Sequence, residues 1–378
     1  MANLVGTLAR RGVEVVRDRA GQGDEDMPLS PWAVALFGAT FLAFVVFGSS
    51  IEYTIRILMG HLAIVESPNT TTVEIYTPAS GIDSLLKKEA EAQGLLEVEL
   101  EATTVTSTKP LTSSIRRTAR HLKSIGGFKA KWRGLGIYIV YTFITIMVSG
   151  ALNKMILRLV PFGEMLSNIA AALLTSRMHC AWTHKVITMP SGKKLWERRV
   201  SRANWKQLLA PTAMSMMACD LSIEAIKYIF VLSVAAAQAM STKTNVPSWT
   251  VLVMGVVPGV VAMVSLPVFV VLPAYAALIR KEASLLPEED ETIVSFDRTF
   301  GGKLNQVGAV LSYKDAWKSF DGEARRRVVK LYAKFFFIMI ACTIVMAHVF
   351  ALELFMGVGD KVPEYALQIR QRMREIGY

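Results

Sequence analysis

Charge is scarce in this chain. Only 19% of its 378 residues are Asp, Glu, Lys or Arg, while 52% are apolar. Soluble domains carry about a quarter charged residues, so the composition argues against an ordinary soluble enzyme and equally against disorder. Cysteine is scarce too. Cys180, Cys219 and Cys342 lie far apart and form neither a disulfide framework nor a zinc knuckle. No Walker loop, metal-binding helix motif or G-x-S-x-G elbow occurs. No secretory signal pattern is present, and Glu14 and Asp18 argue against a cleaved transit peptide at the N-terminus. No metal or cofactor is expected, and the chain reads as something other than an enzyme.

What the chain does have is long uncharged runs. A bilayer core needs about 20 apolar residues in a helix. Ser30 to Ile51, Gly134 to Asn153 and Phe335 to Leu352 are free of charge. Met165 to Ser176 is uncharged and continues through Cys180 and Trp182. Leu208 to Thr242 is interrupted only by Asp220, Glu224 and Lys227. Thr244 to Ile279 is uncharged over 36 residues and holds Pro258, Pro267 and Pro273, so it reads as one kinked helix or two short ones. The expected count is six spans.

The net charge of +11 sits in the loops. Arg116 to Arg133 holds seven basic residues and no acid, and Arg177 to Lys206 holds eight against Glu197 alone. The third long loop, Arg280 to Lys334, ends in Arg325, Arg326, Arg327, Lys330 and Lys334. Six spans place all three long loops on one, basic side and both termini on the other. The charge then points to a bilayer with anionic headgroups. It does not point to nucleic acid, because no aromatic-basic module accompanies it. Between Ser67 and Thr108 lies a Thr- and Glu-rich segment with an amphipathic piece, Ile82 to Leu100, and a sequon at Asn69 that reads as unused.

Three segments align without gaps: Phe128 to Leu135 (FKAKWRGL), Ser201 to Leu208 (SRANWKQL) and Tyr313 to Phe320 (YKDAWKSF). Each places Trp beside a basic residue: Trp132 and Arg133, followed by Gly134; Trp205 and Lys206; Trp317 and Lys318. Trp favours the headgroup boundary, and a neighbouring cation meets phosphate there. Each copy lies in a long basic loop ahead of an even-numbered span. Arg56, Lys185 and Arg280 each sit where an odd-numbered span ends.

On these residues the chain resembles a divergent member of the mitochondrial carrier family. That family's loop signature is Asp/Glu-Gly, four residues, an aromatic, a basic residue and Gly. Gly126 to Gly134 (GGFKAKWRG) matches all but the acid. The resemblance implies an all-α membrane protein of six tilted transmembrane helices in three pseudo-repeats, with amphipathic surface helices in the three long loops. The divisions are a tail at 1–30, a first repeat at 31–160 with its long loop at 64–112, a second at 161–244, a third at 245–356, and a tail at 357–378. The family's odd helices end in Pro-x-Asp/Glu-x-x-Lys/Arg-x-Lys/Arg. With its last basic residue on Arg56, Lys185 and Arg280, the acid falls on Ile51, Cys180 and Tyr275. The acid–base pairs that close the family's gate are therefore missing.

Asp220, Glu224 and Lys227 share one helical face. Charges inside a span are costly and usually face a cavity or each other. They are the candidate solute-binding residues, with Arg56, Lys185 and Arg280 ringing the basic mouth to attract an anion. Glu224 and Lys227 also fit a simple mutual neutralisation. His179, Cys180 and His184 cluster at the end of the third span, too few for a zinc site, and they fit an interfacial cluster better than a Cys–His nucleophile. The expected function is carrier-like transport of a small, anionic solute across an organellar, mitochondrial membrane. The alternative is a carrier-derived protein that no longer transports and acts as an outer-membrane adaptor, membrane-dynamics factor or insertion factor. The partner is accordingly a small solute or a membrane protein. The missing gate pairs and the long first loop favour the alternative. The intramembrane charges favour transport.

Overall fold

The computed structural model describes residues 31–67, 72–75, 104–107, 110–157, 159–194, 196–198, 200–243, 248–304, 310–358 and 370. The N-terminal tail, Asn69, the piece from Ile82 to Leu100 and nearly all of the C-terminal tail lie outside them.

The described chain is mostly helical. Helix α1 (Pro31–Ile51) leads into a π-helical stretch (Glu52–Met59) and α2 (Gly60–Val65). Two short strands, β1 (Thr72–Ile75) and β2 (Thr104–Ser107), pair antiparallel, Thr72 opposite Ser107. Then come α3 (Ile115–Gly126) and α4 (Leu135–Leu152). Helix α5 (Gly163–Ile187) is followed by α6 (Arg202–Lys243). Helix α7 (Ser248–Leu266), a π-helical turn (Pro267–Val271) and α8 (Leu272–Ala283) follow one another without a break. The proline-rich run is therefore one segmented helical stretch. Pro267 has no N–H to give, and the wider turn that begins there re-partners the carbonyls it frees. Helices α9 (Tyr313–Ser319) and α10 (Gly322–Val358) complete the described chain.

Among the described residues, four helical stretches are long and apolar enough to cross a membrane: Val34–Val65, Phe128–Met155, Val253–Ala283 and Gly322–Gly357. Helices α5 and α6 have the length but interrupt it with charge, Arg177 and Lys185 in one and Asp220, Glu224 and Lys227 in the other. They do not meet the same standard of apolarity.

The chain divides into two compact units. In the first, residues 31–49 and 338–358 pair. Phe37 lies against Phe350 with ring centres 5.9 Å apart, and the Thr40 hydroxyl donates to Glu353. Glu353 is buried, and its other carboxylate oxygen has no hydrogen-bond partner among the described residues.

The second unit, Ser50–Phe337, holds the main core. Its largest fully buried side chains include Tyr53, Leu58, Leu62, Trp182, Ile187 and Ile279, drawn from the ends of the helices that run into the long loops. The first loop is tethered there by Glu66. This carboxylate is fully buried and accepts from the backbone N–H of Leu111 (2.5 Å) and Thr112 (3.1 Å) and from the Thr112 hydroxyl. Arg327 of α10 reaches the end of α2 as well, donating to the carbonyls of Ala63 (3.1 Å) and Glu66 (2.8 Å).

The surface helices are two, not three, among the described residues: α3 in the first long loop and α9 in the third. The described residues of the second loop form none. Its chain instead runs extended against the third loop, Met189 N–H donating to Glu291 C=O (2.8 Å) and Ile293 N–H to Ile187 C=O (2.9 Å). A backbone satisfied by sheet-like pairing has no need of a helix there.

Candidate functional site

Asp220 does not close with Glu224 and Lys227 as one charged triad. Glu224 and Lys227 pair with each other at 2.7 Å, both well exposed on the α6 surface. Asp220 instead faces α5, where Asn168 Nδ2 lies 3.3 and 3.4 Å from its carboxylate oxygens. Asn168 Oδ1 in turn accepts from the Ser149 hydroxyl of α4 at 2.6 Å. A polar chain thus links three helices beside the α4–α5 connection, Ser149 in the last turn of α4 and Asn168 in the second turn of α5. Its length follows from chemistry: Asn carries both donors and acceptors and relays between a hydroxyl and a carboxylate.

The basic residues expected to ring the mouth do not assemble. Arg56 pairs with Glu52 one turn earlier on its own helix, with Nε to Oε1 at 3.0 Å. Arg280 is buried, donates to Ile64 C=O at 2.9 Å and lies over the Phe300 ring. The cations that act on Lys185 are Arg198 and Arg133, and neither Arg56 nor Arg280 is among them. The alignment that equated the three residues fails because the first helical run extends to Val65, nine residues beyond Arg56, whereas α5 ends at Ile187, just beyond Lys185.

The tryptophan motif is realised in two copies. Trp132 Nε1 donates to Ser50 Oγ at 2.7 Å, and Trp205 Nε1 to Ser176 Oγ at 2.8 Å. In each, the indole holds a serine on an earlier helix, α1 for Trp132 and α5 for Trp205. Trp317 makes no such bond among the described residues; it lies in α9, half-exposed, with Tyr313 6.3 Å away. Lys206 and Lys318 are exposed. Arg133 reaches inward instead, Nε to Lys185 C=O (2.6 Å) and Nη2 to Met189 C=O (2.8 Å). Gly134 completes the motif for a steric reason. Its φ is +78°, and a Cβ there would lie 3.2 Å from Trp182 Cδ1 and 3.3 Å from Tyr53 Oη.

The histidine cluster is built around a residue that sequence reasoning passed over. Glu282 of α8 is fully buried and accepts from His179 Nδ1 (2.7 Å) and the Thr183 hydroxyl (2.6 Å). His184 Nε2 lies 2.8 Å from the Glu282 carbonyl, so that nitrogen carries the proton. It therefore cannot act as a base toward Cys180, 3.5 Å away and fully buried, and the Cys–His nucleophile is excluded. His61 gives Nδ1–H to Ile57 C=O (2.7 Å), which leaves Nε2 to accept from the Tyr275 hydroxyl (3.1 Å). Tyr141, Trp182 and Tyr275 surround the His179 ring. No group of three or more metal-ligating side chains exists among the described residues.

A surface cavity of about 290 Å³ opens beside the start of α10, lined by Thr112, Ser113, Arg326, Arg327, Lys330 and Lys334 among others. Arg326, Lys330 and Lys334 recur every fourth residue, which places them in one stripe of the helix. No family model and no curated protein matches the chain.

Proposed function

We propose that this protein is a six-helix membrane bundle of three carrier-like pseudo-repeats that moves a small solute across an organellar membrane, the mitochondrial membrane first. In this reading α5 and α6 are the two further spans, their polar residues turned toward the interior. The observation that carries it is the chain Ser149–Asn168–Asp220. A carboxylate within a span costs a few kcal/mol unless it faces a polar path or partners, and here it is held by Asn168 of α5, which Ser149 of α4 holds in turn. The paired indole–serine bonds of Trp132 and Trp205 support the repeat.

Asp220 favours a solute that offers it a positive or hydrogen-bond-donating group. Arg56 is neutralised by Glu52, and Arg280 is committed to Ile64 C=O, so two of the cations that suggested an anion are occupied. The stripe of Arg326, Lys330 and Lys334 stands just ahead of the uncharged run that begins at Phe335 and meets anionic headgroups.

The test is uptake into proteoliposomes of labelled cationic and zwitterionic amino acids, with dicarboxylates alongside. Saturable uptake by the wild type, abolished in Asp220→Asn and retained in Glu224→Gln, supports the reading. Equal uptake by Asp220→Asn removes the residue from the mechanism. A second reading, a carrier-derived protein that no longer transports, rests on the missing acid–base gate. The odd-helix ends are joined instead by His179 with Glu282 and by Tyr275 with His61. It predicts no uptake of any probe and outer-membrane fractionation in isolated mitochondria.

A further inference from the structure

Three cations gather where α5 ends, and no carboxylate is bonded to any of them among the described residues. Arg133 comes from the start of α4, Lys185 from the last turn of α5 and Arg198 from the second loop. Arg133 spends two N–H groups on the carbonyls of Lys185 and Met189. Arg198, only 5% exposed, donates to the Thr188 hydroxyl at 3.1 Å and to the Ser191 hydroxyl. These are caps on a helix C-terminus, where the dipole supplies about half a negative charge. Three full positive charges exceed it.

Two donors are left over. Arg198 Nε is buried and has no hydrogen-bond partner among the described residues. The Lys185 ammonium, half-buried, has no hydrogen bond or ion pair among the described residues. Arg198 and Arg133 act on Lys185 by repulsion, and Arg198 acts on Arg133 in the same way. The acids that favour the Arg198 charge are Asp290 and Glu197. Asp290 shares Lys193 (2.7 Å) with Glu289 (3.0 Å), and Glu197 accepts from Lys194 N–H at 2.8 Å; both acids offset the Arg198 charge from a distance, and neither bonds Arg198 Nε or Lys185 among the described residues. A buried donor without a partner costs free energy, and clustered like charges add to that cost. Both costs vanish when an anion is bound.

We propose that the end of α5 is an anion site for a phosphate group, formed by Arg133, Lys185 and Arg198. The unpaired Arg198 Nε–H and the Lys185 ammonium supply two charge-assisted donors, and the Arg133 guanidinium adds a third positive charge beside them; a tetrahedral phosphate offers the oxygens and the negative charge to meet all three. A single carboxylate offers one charge and two oxygens and leaves a cation unmatched. The phosphate belongs either to a soluble ion or solute or to a phospholipid headgroup. The site does not depend on the transport reading.

The experiment uses the full chain in phosphatidylcholine nanodiscs. One arm titrates inorganic phosphate against chloride at equal ionic strength, read by calorimetry and thermal unfolding. The other replaces part of the lipid with phosphatidic acid in phosphate-free buffer. Saturable phosphate binding assigns the site to a soluble phosphate. Stabilisation by phosphatidic acid alone assigns it to a headgroup. In either arm Lys185→Gln, which removes no structural bond, weakens the response by about tenfold, the worth of one charge-assisted contact. Lys330→Gln, in the separate cavity on α10, leaves the soluble-phosphate response intact. The proposal is overturned if neither arm exceeds its control, if Lys185→Gln responds as the wild type does, or if the loss follows Lys330→Gln instead.

Discussion

His179 Nδ1 and Glu282 Oε1 lie 2.7 Å apart, joining α5 to α8 across 103 residues of chain. Glu282 has no solvent contact, so its partners supply all the polarity it meets. Removing one member of such a pair strands the other. Glu282→Ala is expected to cost about 3–5 kcal/mol, read as a lower unfolding temperature in detergent. Glu282→Gln is expected to lose less, because an amide oxygen still accepts from Thr183. Unfolding of Glu282→Ala at the wild-type temperature would contradict this assignment.

Gly134→Ala is expected to destabilise by about 1–3 kcal/mol, combining a left-handed backbone with crowding against Trp182 and Tyr53. The reading is chemical unfolding followed by tryptophan fluorescence. Gly136→Ala, where a Cβ meets nothing within 4 Å, is the control and should be neutral or slightly stabilising.

Trp132→Phe and Trp205→Phe each delete one indole bond to a serine, and each should cost about 0.5–1.5 kcal/mol beyond any packing change. Because the two bonds share no residue, the double variant should be additive within about 0.5 kcal/mol. Ser50→Ala and Ser176→Ala should reproduce the respective losses. A cost for Trp317→Phe as large as that for Trp205→Phe would run against the observed exposure of Trp317.

Asp297, in the third loop, sets an acid limit. Partial burial pushes its pKa up, but hydrogen bonds from the Thr299 hydroxyl (2.6 Å), Gly301 N–H (2.7 Å) and Thr299 N–H (2.8 Å) outweigh it and hold the carboxyl below its ordinary 3.8. A depressed folded-state pKa contributes stability that is present above the unfolded value and lost as pH falls through the folded one. Asp297→Asn should therefore be less stable than the wild type at neutral pH. The gap should close below about pH 4. A gap that persists at lower pH would assign the loss to geometry rather than charge.

The sequence made some of this legible and hid the rest for identifiable reasons. Uncharged runs such as Phe335 to Leu352 announce themselves, because a bilayer tolerates little else. The motif at Trp132, Arg133 and Gly134 was visible because interfacial chemistry fixes residue types at fixed spacing. The same pattern misled at Trp317, which precedes the break at Phe320 and Asp321 and so stands outside the following helix. Glu282 went unnoticed because it follows Arg280 and Lys281 and looks like one more charge in a loop; only packing against α5 buries it. Arg198 is indistinguishable in sequence from its basic neighbours until Thr188 and Ser191 fold around it. Gly255 and Gly259 stand one turn apart on α7 and allow close approach to α6, where a Cβ on Gly259 would come within 2.6 Å of the Phe230 ring.

The extended pairing of the second loop with the third bears on the order of synthesis. Ile187 and Met189 emerge about a hundred residues before Glu291 and Ile293, a lead of several seconds at about 5–20 residues per second. Through that interval the carbonyl of Ile187 and the amide of Met189 have no strand to meet, and α5 ends without its outer support. Ser67 waits longer still for Ser295. The first two loops can therefore settle only once the chain has been made as far as Ser295, and a chain halted after α6 would display two unpaired edges.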